Sequence, residues 1–309
     1  MTWASPKKTV TRAGAGARST STSSTEAVIA PTIRYVPRTR SPGPRPRKAL
    51  GQHFLRDSGV LADIASALRV PQGGVVVEIG PGTGQLTAAL LDLRHHVIAI
   101  EVEDRMIRHL GRRFPGEGRL RLVEGDARDI DLAAIVPAGM PFVVVGNLPY
   151  FAANPIIRHL LEGEPKPTEL VVMVQREVAR ELTAPVGDFS LLTISVLVYA
   201  ASEHLFDVPP EAFDPPPNVW SSVVRLTLRQ QPLVPSRRRE AFFTLVSRTF
   251  RNPRKQIHNT LAQAVALPKE LTDRALADAG IDPARRAETL TVDEWLALLD
   301  ACEEHLVRR

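Results

Sequence analysis

Gly146-Asn147-Leu148-Pro149-Tyr150 follows the apolar run Pro141–Val145, so an amide, a prolyl bond and a ring arrive together where a buried strand should end. Asn147 offers a short side-chain oxygen as acceptor. Pro149 biases Leu148 toward extended backbone, which lets the Leu148 carbonyl turn outward. Tyr150 adds a flat face beside it. Two acceptors next to an aromatic plate suit a planar ring bearing an amino group, such as adenine. A tight turn whose tyrosine simply packs is the competing reading of the same residues.

Three other positions carry complementary chemistry. Gly80-Pro81-Gly82-Thr83-Gly84 stands between the strand-like Val75–Ile79 and a helical pattern, where glycines let backbone approach a ligand closely. A dinucleotide fingerprint wants its third glycine at position 85, which is Gln85, and this counts against a nicotinamide cofactor. Glu101 ends the next apolar run and is placed to accept from ribose hydroxyls; Asp126 follows the one after and is placed to accept from an adenine amino group. Gly-Asp is also a common turn, and a strand-end Glu is also a common solvated residue. Taken in series, the two acids and Asn147 occupy successive strand ends. One ligand laid across them suits an adenosyl cofactor with no pyrophosphate to seat, S-adenosylmethionine.

The elements that must hold these groups are legible in outline. Apolar runs at 75–79, 96–100, 120–123, 142–145 and 170–174 alternate with helical patterns such as Leu86, Leu90 and Leu93, Asp104–Arg113, Ile156–Leu161 and Glu177–Leu182. That alternation predicts an α/β fold with a parallel, doubly wound sheet. Ser221–Leu226 reads as a late strand after Asp214-Pro215-Pro216-Pro217. Beyond Gln231-Pro232 the pattern is helical only, with helices expected at 242–250, 254–264, 273–279 and 292–301. The expected organisation is a tail over 1–47, a cofactor-binding domain over 48–230 and a smaller helical domain over 231–309.

Composition narrows the class. A chain of 309 residues, 44% hydrophobic, supports a substantial core, and its single cysteine, Cys302, excludes an intramolecular disulfide and a cysteine-rich metal site. No apolar run approaches the roughly 20 residues of a membrane helix, so a protein of the cytoplasm with no membrane partner is expected. Charge is uneven: ten of the 39 Lys/Arg and only Glu26 of the 34 Asp/Glu fall within the first 50 residues, leaving 29 cations against 33 acids in the rest. The Ser-, Arg- and Pro-rich stretch 1–47 lacks the apolar content to fold and is read as a disordered basic tail; an RNA-binding arm, an inert extension and an organellar transit peptide are all compatible with it. A second basic run puts Arg237, Arg238, Arg239, Arg248, Arg251, Arg254 and Lys255 within nineteen residues against Glu240 alone, and suggests phosphate contact.

Gly51-Gln52-His53-Phe54-Leu55, Glu78–Gly84, Glu101, Gly125-Asp126-Ala127, Asn147–Tyr150, Phe213–Pro217, Ser221–Leu226 and Arg254–Leu261 stand in the order and approximate spacing of one family. Across residues 47–300 the chain resembles the ribosomal RNA adenine N6,N6-dimethyltransferases of the KsgA/RsmA type. The resemblance implies a Rossmann-like class I methyltransferase sheet. It also implies an S-adenosylmethionine pocket lined by Gln52, His53, Leu55, Gly80, Gly82, Glu101, Asp126, Ala127 and Asn147. The implied substrate is a pair of adjacent adenines near the 3′ end of small-subunit (16S-type) rRNA, in an immature small ribosomal subunit, met by a monomer. Asn147 and Leu148 would then hold the adenine amino group, Pro149 would set the turn, Tyr150 would stack on the base and Phe213 would close its other face. Arg248, Arg251, Arg254 and Lys255 would contact RNA, and no metal is involved. His53 stands where the family more often has Asn, Phe151–Asn154 replaces a usual Asn-Ile-Ser-Thr, and Asn252-Pro253 interrupts a more basic run. Three other readings differ in target or class: an Erm-type enzyme of large-subunit rRNA, a non-catalytic relative like the mitochondrial transcription factors, and an NAD-dependent oxidoreductase.

Overall fold

Short β-branched runs separated by amphipathic helices build a central sheet. In chain order the elements are β1 (Phe54–Leu55), α1 (Ser58–Ser66), β2 (Val75–Ile79), α2 (Gln85–Asp92), β3 (Val97–Glu101), α3 (Asp104–Arg113), β4 (Leu120–Glu124), α4 (Leu132–Ile135), β5 (Phe142–Asn147), α5 (Ala153–Glu162), β6 (Glu169–Gln175), α6 (Arg176–Leu182), α7 (Leu191–Leu197), β7 (Ala200–Val208), β8 (Phe213–Asp214), β9 (Ser221–Leu228), α8 (Arg239–Thr249), α9 (Ile257–Val265), α10 (Lys269–Asp278) and α11 (Val292–Val307). This computed structural model describes residues 53–265 and 268–307, all within one compact unit, Pro42–Arg309. The expectations for the 1–47 tail and for Gln52 lie outside the described residues.

Seven strands pair in the order β4-β3-β2-β5-β6-β9-β7. The first five are parallel, as the alternation predicts. β9 runs antiparallel to both β6 and β7. The reason is its connection: β7 and β9 are joined by the twelve residues 209–220 with no crossover helix, so the chain must return in the opposite direction. β7 itself escapes sequence reading because a bulge between His204 and Phe206 breaks its alternation and its outward positions are polar, as suits an edge strand.

Alternating residues of the sheet feed two cores. Val75, Val77 and Ile79 face the cluster that holds α4, α5 and α7, and that cluster runs on without a break through Phe242, Leu261, Leu276 and Trp295 of α8–α11. Val76, Val143 and Met173 face α1 and α2. Asp57 starts α1 by accepting from the amides of Gly59 and Val60, which satisfies two N-terminal donors. The other end of α1 is tied down by charge. Arg225 in β9, 5% exposed, donates to the Ala67 carbonyl (2.6 Å) and to Glu203 (2.7 Å). The Glu169 carboxylate, also buried, accepts from the Arg69 amide (2.6 Å). Arg225 Nε lies 3.4 Å from Glu169 but makes no hydrogen bond with it, so that contact is electrostatic.

Two local differences from expectation matter. Arg254 and Lys255, expected within a helix over 254–264, fall in the turn before α9, which begins at Ile257. Leu93, expected on the buried stripe of α2, is partly exposed just past its end.

Candidate active site

β2 lies between β3 and β5, so successive strands diverge from it and leave a crevice beyond its carboxyl end. A cleft opens there, lined by Phe54, Leu55, Glu78, Gly80, Gly82 and Asn147 among others. The loop after β2 requires glycine at position 82, where φ is +53° and a Cβ would stand 3.0 Å from the Phe54 ring. Gln85, absent from any dinucleotide pattern, instead accepts from Arg113, which also holds the Thr83 carbonyl.

Across the strand ends the order is β4, β3, β2, β5, a span of about 14 Å at ordinary strand spacing. Glu101 ends β3, 6% exposed, and accepts from the amides of Glu103 (3.0 Å) and Gly82 (3.2 Å). Burial pushes its carboxyl upward, and those amides hold it partly back. Each oxygen retains acceptor capacity for a ribose hydroxyl. Asp126 stands two residues past β4, paired to Arg128 at 2.5 Å, and the guanidinium keeps its carboxyl below the usual range. Ala127 is buried beside it, in the cluster that holds α4, α5 and α7.

Asn147 ends β5. Its Nδ2 donates to the His53 carbonyl at 3.1 Å, which orients the amide and leaves Oδ1 as an acceptor. Leu148 donates its amide to the Met173 carbonyl at 3.1 Å and buries its side chain. The chain then turns, with the Ala152 amide bonded to the Pro149 carbonyl. Gly146 lets the ends of β5 and β2 approach: a Cβ there would stand 2.7 Å from the Ile79 carbonyl.

The N-terminal wall is closed by pairing distant in sequence. β1 pairs with β8, placing Leu55 opposite Phe213, and His53 Nδ1 donates to the Pro215 carbonyl at 2.8 Å. The His53 ring lies roughly parallel to Tyr150, centroids 6.2 Å apart, and the Tyr150 hydroxyl hydrogen-bonds Ser221 at 2.9 Å. Phe213 is buried behind this wall, in the core that faces α1 and α2.

Thus His53, Leu55, Gly80, Gly82, Glu101 and Asn147–Tyr150 converge on one crevice and its rim, with Asp126 at the far strand end. The donor set fits an adenosyl cofactor: a glycine loop in close approach, a buried carboxylate at the end of β3 and a second carboxylate just past β4. Sequence reasoning missed Phe54 and Ser221, whose partners are far along the chain. It also missed Glu78, fully enclosed and held by the Thr87 hydroxyl at 2.6 Å; a lone acid in an apolar run was its signal. Burial pushes the Glu78 carboxyl up to about 7, with the Thr87 hydrogen bond opposing.

The basic run sorts into two groups. Arg238 pairs with Asp300 (2.5 Å) and Glu303 (3.3 Å), Arg239 covers the Tyr199 ring and Arg248 donates to the Ala264 carbonyl. Arg251, Arg254 and Lys255 stand exposed in the turn between α8 and α9.

A sheet of this order with a glycine loop, a β3 carboxylate and a β5 amide defines a class I methyltransferase. The chain belongs to the ribosomal RNA adenine dimethylase family, whose pattern it matches over residues 43–304. It is 40% identical over 252 residues to the Ribosomal RNA small subunit methyltransferase A of Dehalococcoides mccartyi, covering 82% of this chain and 87% of that one. Among solved structures it is similar to a dimethyladenosine transferase from Plasmodium falciparum (TM-score 0.71, 26% identity, 82% of this chain and 98% of that one). It is also similar to the 23S rRNA methyltransferase ErmE (TM-score 0.64, 27% identity, 81% and 99%).

Proposed function

We propose that this chain transfers methyl groups from S-adenosylmethionine to N6 of two adjacent adenines near the 3′ end of small-subunit rRNA, two to each, acting as a monomer on the immature particle. The observation that carries the reading is the oriented Asn147 amide, its nitrogen held by the His53 carbonyl and its oxygen left as acceptor, at the end of the strand beside the glycine loop.

Adenine N6 is a weak nucleophile because its lone pair is delocalised into the ring. Asn147 Oδ1 and the Leu148 carbonyl accept from the two amino protons, which favours a pyramidal nitrogen and directs its lone pair outward. The bound cofactor supplies a methyl group made electrophilic by the sulfonium charge. Glu101 holds the ribose hydroxyls, Asp126 accepts from the cofactor's adenine amino group, and Gly80, Gly82, His53, Leu55 and Ala127 form the pocket around them. Tyr150, tethered to Ser221, presents a fixed face for the extruded base, with Phe213 buried behind the wall that β1 and β8 form. The attacked nitrogen becomes acidic only after transfer, so its proton passes to water without a strong side-chain base; positioning and fixed dipoles carry the rate. The helical segment 231–309 presents Arg251, Arg254 and Lys255 to the phosphate backbone, while Arg248 of the expected set is engaged with the Ala264 carbonyl.

Incubation with labelled S-adenosylmethionine and separated small- and large-subunit particles, followed by mapping of the modified base, tests the reading. Label is expected in N6,N6-dimethyladenine near the small-subunit 3′ end. Label in large-subunit rRNA would move the target to that of the Erm-type enzymes, and transfer to neither would favour a non-catalytic binding protein.

A further inference from the structure

Three large apolar side chains stand open at one rim of the crevice: Phe151 is 66% exposed, Val219 42% and Trp220 41%. Trp220 is built in. Its carbonyl accepts from the Arg176 amide at 3.0 Å, and the Arg176 guanidinium lies over its ring, 5.3 Å from the centroid. It immediately precedes Ser221, the residue whose hydroxyl holds Tyr150 and which pairs with Gln175 at the end of β6. Only β6 separates β9 from β5, so the start of β9, next to Trp220, stands about 10 Å across the sheet from the Asn147 strand at ordinary strand spacing.

We propose that Trp220, set by Arg176, is a stacking platform for an unpaired RNA base flanking the adenine held at Asn147–Tyr150. The inference rests on the functional reading above and adds a recognition residue to it. An indole left open to water forgoes the burial that a ring of its size normally provides, and a base supplies the missing face. A guanidinium over the opposite face strengthens stacking and lies ready for the adjoining phosphate. A single-stranded nucleic acid therefore fits this rim better than an apolar protein surface, which would offer no phosphate to the Arg176 guanidinium.

Steady-state transfer to small-subunit particles by Trp220→Ala and Trp220→Phe tests it. The Ala variant is expected to raise KM for the particle about tenfold, the scale of one lost base stack, with kcat changed less than about twofold and cofactor affinity unaltered. The Phe variant should recover most of the loss. A particle KM unmoved in the Ala variant, or no recovery with Phe, overturns the platform.

A second measurement is independent of catalysis. Binding of a ten-nucleotide adenine-rich single-stranded RNA should quench tryptophan fluorescence in the parent chain and not in Trp220→Phe, whose remaining fluorophores are Trp3 and Trp295. Quenching that persists in the Phe variant places the stack elsewhere and overturns the proposal. If the parent chain methylates no ribosomal particle yet shows Trp220-dependent quenching, the functional reading fails while the platform stands. Weakened particle binding with unchanged oligonucleotide binding would assign the rim to a protein and overturn it.

Discussion

At the scale of single residues, the site works by orientation. Asn147 is useful because its amide has been given a direction: the nitrogen is spent on the His53 carbonyl. Asn147→Ala removes the acceptor and is expected to lower the methyl-transfer rate by roughly 10²–10³-fold, as loss of a positioned polar group does elsewhere. Circular dichroism should show the fold intact, since only one hydrogen bond worth about 1 kcal/mol is lost. Normal transfer by this variant would refute the assignment of Asn147 as the amino-group acceptor. Glu78 shows the opposite situation, a carboxyl whose protonated form is favoured by burial, with a pKa raised to about 7 from the ordinary 4.5. Such a group binds its proton more tightly folded than unfolded. Its contribution to stability is therefore full below the unfolded pKa and is lost as pH rises through about 7. Urea unfolding at about pH 5 and about pH 8 should show the parent chain losing up to a few kcal/mol over that interval. Glu78→Gln, which keeps an acceptor for Thr87, should lose distinctly less. Equal pH slopes would remove Glu78 as the origin.

At the scale of elements, the crevice depends on where α1 is held, because Leu61 and Ile64 of that helix line it. Arg225 fastens the end of α1 through the Ala67 carbonyl while neutralising the buried Glu169. Arg225→Ala would leave that carboxylate without its charge partner and is expected to destabilise the fold by about 3–5 kcal/mol in denaturant unfolding; a loss under 1 kcal/mol would show the network to be dispensable. The elements also show what a sequence discloses. The glycine loop, Glu101 and the Asn147–Tyr150 turn each follow directly from an apolar run, and contiguous signals of that kind are readable. The β1–β8 pairing was not, because register between segments some 160 residues apart leaves no local trace. The direction of β9 was hidden for a related reason: an apolar run marks a strand without saying which way it enters the sheet. Likewise, nothing near Arg238 announces that its acids arrive from α11.

At the scale of the whole molecule, that division of charge decides where RNA can be met. Cations already engaged by acids or carbonyls hold the α8–α11 bundle together, whereas Arg254 and Lys255 are exposed in their turn. Arg254→Glu with Lys255→Glu is expected to weaken binding of small-subunit rRNA and to reduce the slope of log affinity against log salt by about two, leaving cofactor affinity unchanged. Unaltered rRNA binding would remove this turn from the interface. The pocket wall has a further consequence for synthesis of the chain. His53 and Leu55 emerge from the ribosome early, yet their partners Phe213 and Pro215 emerge some 160 residues later. A nascent chain that has already completed β2, β3 and β5 therefore still lacks one side of its donor pocket. Closing so long a loop comes late in folding as well as in translation, so this side of the crevice is completed only after nearly the whole sheet has been made.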